Sequence, residues 1–162
     1  MRSLRPAIVA LFLSLLSVAV VAADDPVILV HEQRPEEDLS VWRMRILMNG
    51  AEPLWGNGDR VRLLLPPEDS PATAERLYEF LERSPRELRK IWVDKVFKGE
   101  AVTLPEQPPT VEDLIRELRS DPGGLGVLPG GAVSSGVPEG LKILTVDGKQ
   151  PGDDGYALAS GS

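Results

Sequence analysis

Few residues in this chain are of a type that does chemistry, and their spacing narrows the chemistry further. There is no cysteine, so thiolate nucleophiles, disulfides and thiolate metal sites are excluded. The single histidine, His31, ends an apolar run and has no second imidazole with which to share a metal. Carboxylates occur as sequence neighbours in polar stretches: Glu36-Glu37-Asp38, Glu68-Asp69 and Asp153-Asp154. Acid–base catalysis needs two carboxylates facing each other across a substrate from rigid elements, so these pairs read as solvated surface. The chain is expected not to be an enzyme and to hold neither cofactor nor metal.

The stretch "DPGGLGVLPGG", residues 121–131, comes close to a G-x-G-x-x-G nucleotide loop but carries Pro129 where the last glycine belongs. A phosphate-cradling loop also requires strand, then glycines, then helix, so that the anion meets a helix N-terminus. Here a helical pattern comes first, the glycines follow, and a strand comes next. Gly124 and Gly126 are therefore expected to be structural: a helix stop, and a place where a backbone passes close to its neighbour.

The elements that position these residues follow from periodicity and caps. "PVILVHE" is a continuous apolar run, read as a strand buried on both faces. Ser40 caps a helix whose Val41, Met44, Leu47 and Met48 share a face, with Asn49-Gly50 as its stop. A strand over residues 60–65 precedes a helix with Ser70 at the cap and Pro71 at its first position, buried along Ala74, Leu77, Tyr78 and Leu81. Ser84 and Glu87 form a capping box for the next helix, lined by Leu88, Ile91 and Trp92. Thr110 opens a fourth, with Val111, Leu114, Ile115 and Leu118 on one side. Strands over residues 125–128 and 141–146 complete the order β, α, β, α, α, α, β, β. Strands separated by helices imply crossovers and a mostly parallel sheet with helices on its faces. Trp42, Trp55 and Trp92 are expected to serve core packing, with Trp55, before the Asn57-Gly58 turn, the most exposed.

The two ends differ in character from the middle. Arg2 and Arg5 precede the uncharged apolar residues 7–22, and Val21-Ala22-Ala23 offers small side chains to a signal peptidase. Residues 1–23 are expected to be a cleaved leader, leaving no membrane span and a periplasmic or secreted protein. With Arg2 and Arg5 gone, the net charge of −7 becomes −9, which repels nucleic acid and anionic lipid. Residues 24–148 are one domain's worth of chain. Residues 149–162 form a polar, glycine-rich tail that cannot fold alone.

Several blocks, taken in order, resemble phosphate-type periplasmic substrate-binding proteins. "LSVWRMRILMNGAEPLWGNGDRV" is similar to that family's L-S…IF-x-G…W-x-(D/N)-G…V block, with Met48, Gly50, Trp55 and Gly58 on the matching positions. "IWVDKVFKGE" resembles its W…F-x-G, "LIRELRSDPGGLGVLPGGAV" its V…V…PGAIGYV, and "LKILTVDGKQPGDDGYAL" its closing V-K-x-L-x-(I/V)-D-G-x-x-P…Y-x-L. The resemblance runs from Val27 to Leu158 and covers one lobe of a two-lobed receptor. It implies a single α/β lobe of the type II periplasmic-binding-protein kind, and a role related to phosphate ABC transport. "EDSPATAERLYEFL" stands where the family carries a Ser-Gly-Thr turn that binds phosphate at a helix N-terminus. Ser70 matches the serine, Pro71 replaces the glycine and removes one amide, Ala72 stands on the threonine and Thr73 comes one place late. Glu68 and Asp69 bring negative charge beside it. The resemblance thus places a weak or degenerate anion site at Ser70 and Thr73, for phosphate or a similar oxyanion, while a plain helix cap is the favoured role of Ser70. An ABC transporter, a sensor or another envelope protein would be the partner. The alternative is an envelope interaction module that keeps the fold and has lost the ligand. Mass spectrometry of the secreted or periplasmic fraction is expected to find a chain that begins at Asp24. A membrane-bound chain retaining residues 1–23 overturns this.

Overall fold

The computed structural model describes residues 25–101 and 103–159, so the expected leader lies outside the described residues. In chain order the elements are β1 (Val27–His31), β2 (Asp38–Leu39), α1 (Val41–Met48), β3 (Arg62–Leu64), α2 (Pro71–Leu81), α3 (Pro85–Phe97), α4 (Val111–Ser120), β4 (Gly124–Leu128), a 3-10 turn (Gly130–Val133), β5 (Leu141–Ile143) and β6 (Thr145–Val146). Three of the four helices begin where their caps say they should. The Ser40 and Thr110 side chains accept from the Arg43 and Asp113 N–H groups, and Ser84 and Glu87 close a full capping box. Such caps satisfy backbone donors that no helix can pair internally.

Four strands form the main sheet in the order β3-β4-β1-β5, and β2 pairs with β6 in a small parallel ribbon. β3 and β4 are parallel, while β1 is antiparallel to both β4 and β5. The sheet is therefore mixed rather than purely parallel, with three of its four strands running one way. The crossover argument holds where it applies: β3, β4 and β5 all run one way. It says nothing of β1, which enters reversed between β4 and β5 and turns two of the three pairings antiparallel. The expected strand over residues 60–65 is shorter, because Arg60 bridges Leu54 and the Leu65 N–H donates to the Glu106 carbonyl. That over residues 141–146 divides at Leu144, whose N–H still reaches Ile28 while Thr145 turns to the Glu37 carbonyl.

Helices cover both faces. Ile28 and Val30 of β1 join Leu63, Leu125 and Val127 under α1, α2 and α3, with Met44, Leu77, Leu88 and Trp92. Val27 and Leu29 meet Leu64, Leu128 and α4's Leu114 and Leu118 on the other side. In α2 the buried stripe is Thr73, Leu77, Phe80 and Leu81, rotated from the expected one, with Ala74 and Tyr78 at its margin. Trp92 is buried against Gly50 and donates its indole N–H to the Met48 carbonyl (2.8 Å). Gly50 has φ +67°, so the helix stop and the indole's seat fall on one residue. The polar tail does pack: Tyr156 and Leu158 are buried in the first cluster.

The glycines of residues 123–126 have the structural use expected of them, through side chains more than backbone. A Cβ at Gly126 would lie 2.7 Å from Leu114 Cδ2 and 2.8 Å from Leu118 Cδ1, and one at Gly124 would lie 2.9 Å from Leu118 Cδ2. The two glycines face α4 and let it sit directly on β4. Gly126→Val is expected to destabilise the lobe by about 1–3 kcal/mol through overpacking, read as a fall in the urea midpoint. An unchanged midpoint would show that α4 can shift at no cost.

Candidate functional site

Because β3, β4 and β5 point the same way, their carboxyl ends share one edge of the sheet. In open α/β sheets that edge is where ligands bind. α2 starts there after β3, and the Gly130–Val133 turn starts there after β4. The register pairs Leu64 with Gly126, which brings the chain leading into Ser70 alongside the Pro129-Gly130 corner.

The α2 N-terminus is built differently from the other three. Ser70 sits at the cap position with φ −125° and ψ 58°, but its side chain caps nothing. Its hydroxyl donates to the Asp69 carboxylate (Oγ–Oδ1 3.1 Å), and its N–H goes to the Pro67 carbonyl (2.9 Å). The expected cap role is therefore not filled. Pro71 has no N–H, so the Ala72 and Thr73 amides are the first-turn donors. Ala72 is exposed, whereas Thr73 is only 4 % exposed. Ser70 and Thr73 thus share one turn without converging: one hydroxyl is turned to Asp69, and the other residue is part of the helix's buried stripe. Glu68 and Asp69 stand exposed beside them.

The two arginines that flank this stretch in sequence, Arg62 and Arg76, pair elsewhere. Arg62 donates to both oxygens of Glu106 (2.9 and 2.7 Å) and to Glu117 (2.9 Å), with Asp121 at 3.6 Å. The Glu106 hydrogen bonds raise the Arg62 pKa, and Arg62 in turn holds the Glu106 carboxyl below its ordinary range. This fork lies at the opposite edge, where β4 begins, and ties β3 to α4. Arg76 faces Glu79 at 3.7 Å.

At that same edge lies a polar cluster that the sequence reading missed. Arg34 is 5 % exposed, and its guanidinium lies 4.5 Å over the Trp55 ring. It donates to both oxygens of Glu36 (3.0 and 3.2 Å), to Asp59 (3.2 Å) and to Asn57 (3.3 Å). Trp55, expected to be the most exposed tryptophan, is 2 % exposed and donates its indole N–H to the Gly123 carbonyl (3.0 Å). Trp42, on α1, is instead 69 % exposed. Stacked on Trp55 and hydrogen-bonded to three side chains, Arg34 is a structural pin. The only hint in sequence was a lone arginine between His31 and the acidic run. His31 itself accepts the Gln33 N–H at Nδ1 (3.2 Å).

No family model matches the chain, and no curated protein matches it. Solved structures do. An ABC-type phosphate transport receptor from Vibrio cholerae superposes with a TM-score of 0.63 at 13% identity, over 83% of this chain and 53% of that one. PstS from Borrelia burgdorferi gives 0.59 at 12% identity, over 79% and 49%. A phosphate ABC transporter substrate-binding protein from Clostridium perfringens, solved with bound phosphate, gives 0.58 at 14%, over 79% and 47%. The fold is that of a periplasmic-binding-protein-like lobe. This lobe spans about half the length of the solved structures it matches. At these identities the likeness is one of fold.

The Arg34 pin generates a pH test. Burial pushes the Glu36 carboxyl up, but the Arg34 hydrogen bonds and charge, with backbone N–H groups, outweigh it and leave the pKa lowered. A carboxyl whose folded pKa is depressed contributes stability above its unfolded pKa and loses it as pH falls through the folded one. Arg34→Ala is expected to cost about 3 kcal/mol at pH 7, since it leaves Glu36 largely buried without its cation. It should also flatten the acid limb of stability against pH. An acid limb of unchanged slope in the variant would show that Glu36 draws its stabilisation from elsewhere.

Proposed function

We propose that the chain is a secreted, non-enzymatic accessory lobe of phosphate ABC transport, with a degenerate oxyanion site at Ser70 and Thr73. The observation that carries this is the fold likeness over roughly four-fifths of the chain to proteins named for phosphate transport. The position of the α2 N-terminus, at the edge where such sheets take ligands, supports the site. Its donors are depleted: Pro71 offers no amide, and Ser70 Oγ is already hydrogen-bonded to Asp69. The lobe works in the periplasm or outside the cell, presenting its surface to an ABC transporter, a sensor or another envelope protein. Fold alone does not fix a ligand.

The Ser70–Asp69 hydrogen bond and the burial of Thr73 also favour a second reading, an envelope interaction module that keeps the fold without binding an anion. Calorimetry with inorganic phosphate separates the two. A degenerate site gives a dissociation constant no tighter than about millimolar, or about −4 kcal/mol, strengthened by combining Pro71→Gly with Glu68→Arg. The module gives no heat with either protein. A micromolar constant for the unmodified chain, lost in Ser70→Ala, overturns both and makes Ser70 a primary ligand.

A further inference from the structure

We propose that residues 150–159 form a clasp that opens as a unit while the sheet stays folded, with the Tyr156 hydroxyl on the Pro26 carbonyl as its latch.

The clasp follows a tight reversal in which Val146 and Lys149 exchange backbone hydrogen bonds around Asp147 and Gly148, both at positive φ. Beyond that reversal the chain folds on itself. Gln150 N–H goes to Asp153 Oδ2, Asp153 N–H to the Gln150 carbonyl, Tyr156 N–H to the Asp153 carbonyl and Ala159 N–H to the Tyr156 carbonyl. Among the described residues no backbone ladder joins residues 150–159 to either sheet. Side-chain burial helps to hold the segment down. Tyr156 and Leu158 are fully enclosed in the first hydrophobic cluster. Tyr156 Oη donates to the Pro26 carbonyl (2.8 Å), and Gly152 N–H leans on Asp25 Oδ2 (3.4 Å). Burial, and then the Asp25 carboxylate, push the Tyr156 pKa up, so the phenol stays a donor.

A segment with internal turns and two buried anchors can leave without breaking a strand pairing, which is the signature of a low-stability local unit. Its departure uncovers Asp25 and Pro26 at the head of β1. It also removes the wall that Ala157, Leu158 and Ala159 give to the cleft they share with Phe80, Arg45 and Arg76. Access to the chain that leads into β1 is therefore governed by the clasp.

Native-state hydrogen exchange of the full chain, resolved by residue, tests this. In the unmodified protein the Asp153, Tyr156 and Ala159 amides should exchange faster than those of Leu125 and Val127 in β4. Tyr156→Phe keeps the ring and removes the latch, and should speed exchange in the clasp roughly 5- to 30-fold while leaving β4 unchanged. Leu158→Ala, which loosens the second anchor, should act in the same direction. Equal acceleration of clasp and β4 amides, or no change in the clasp, overturns the proposal. Clasp amides in the unmodified protein as protected as those of β4 overturn it without any variant.

Discussion

β1 belongs to both hydrophobic clusters at once, and the lobe depends on that. Val27 to Val30 are fully buried, with Val27 and Leu29 facing α4 and Ile28 and Val30 facing α1, α2 and α3. Burying side chains of this kind contributes about 1.5–3 kcal/mol each, so these four supply an amount comparable to the whole net stability of a small domain. A chain with no cysteine has no covalent substitute. The reversed direction of β1 also sets the architecture. It separates β4 from β5, forces the link between them to cross over it, and leaves the three co-directional strands with their carboxyl ends on one edge.

The two edges of the sheet are used in opposite ways. At the edge where β4 begins, the Gly123 carbonyl accepts both the Trp55 indole and the Arg62 N–H, at 3.0 Å each. Arg34 clamps the other face of Trp55, and Arg62 gathers Glu106, Glu117 and Asp121. Buried charges are tolerable only when paired and hydrogen-bonded, and here both arginines are. At the edge where β3 and β4 end, the helix start lacks its side-chain cap, and the nearby carboxylates have no cation from Arg62 or Arg76. Paired charges and side-chain hydrogen bonds are concentrated at the first edge, and first-turn amides without a side-chain cap at the second.

What was legible in the sequence was what acts over a few residues. Ser40, the Ser84–Glu87 box and Thr110 marked three helix starts because a cap and its partner lie three positions apart. β1 was legible as an unbroken apolar run, and Gly124 and Gly126 as structural because no helix follows them. The direction of β1 was not, since it is fixed by pairing with strands about a hundred residues away and periodicity carries no sign. Trp55 was misjudged for the same reason: its partner, Gly123, is 68 positions distant. The docking of the tail on the lobe was not legible, because its two anchors, Tyr156 and Leu158, are too few to show a period. Their support, at Pro26, is 130 positions back. Of the candidate site, the position at a helix start was legible. That Asp69 takes the Ser70 hydroxyl, leaving the cap unmade, was not, because a serine before a helix reads the same in either state.

The difference between inheriting a fold and keeping its ligand comes down to donors. A sheet edge and a helix N-terminus follow from packing, which tolerates wide changes in sequence so long as volume and pattern are kept. An anion site requires several groups aimed at one point, and each hydrogen bond to a charged group is worth only about 1.5–3 kcal/mol. Pro71 deletes one such donor outright. The Ser70 hydroxyl can serve an anion only by leaving Asp69, and that carboxylate then faces the incoming charge across the same turn. An anion at an open helix end also competes with water, and salt screens the helix dipole over about 8–10 Å. None of these features disturbs the buried stripe of α2, which runs through Leu77, Phe80 and Leu81. The helix can therefore lose its ligand chemistry without losing its place in the fold.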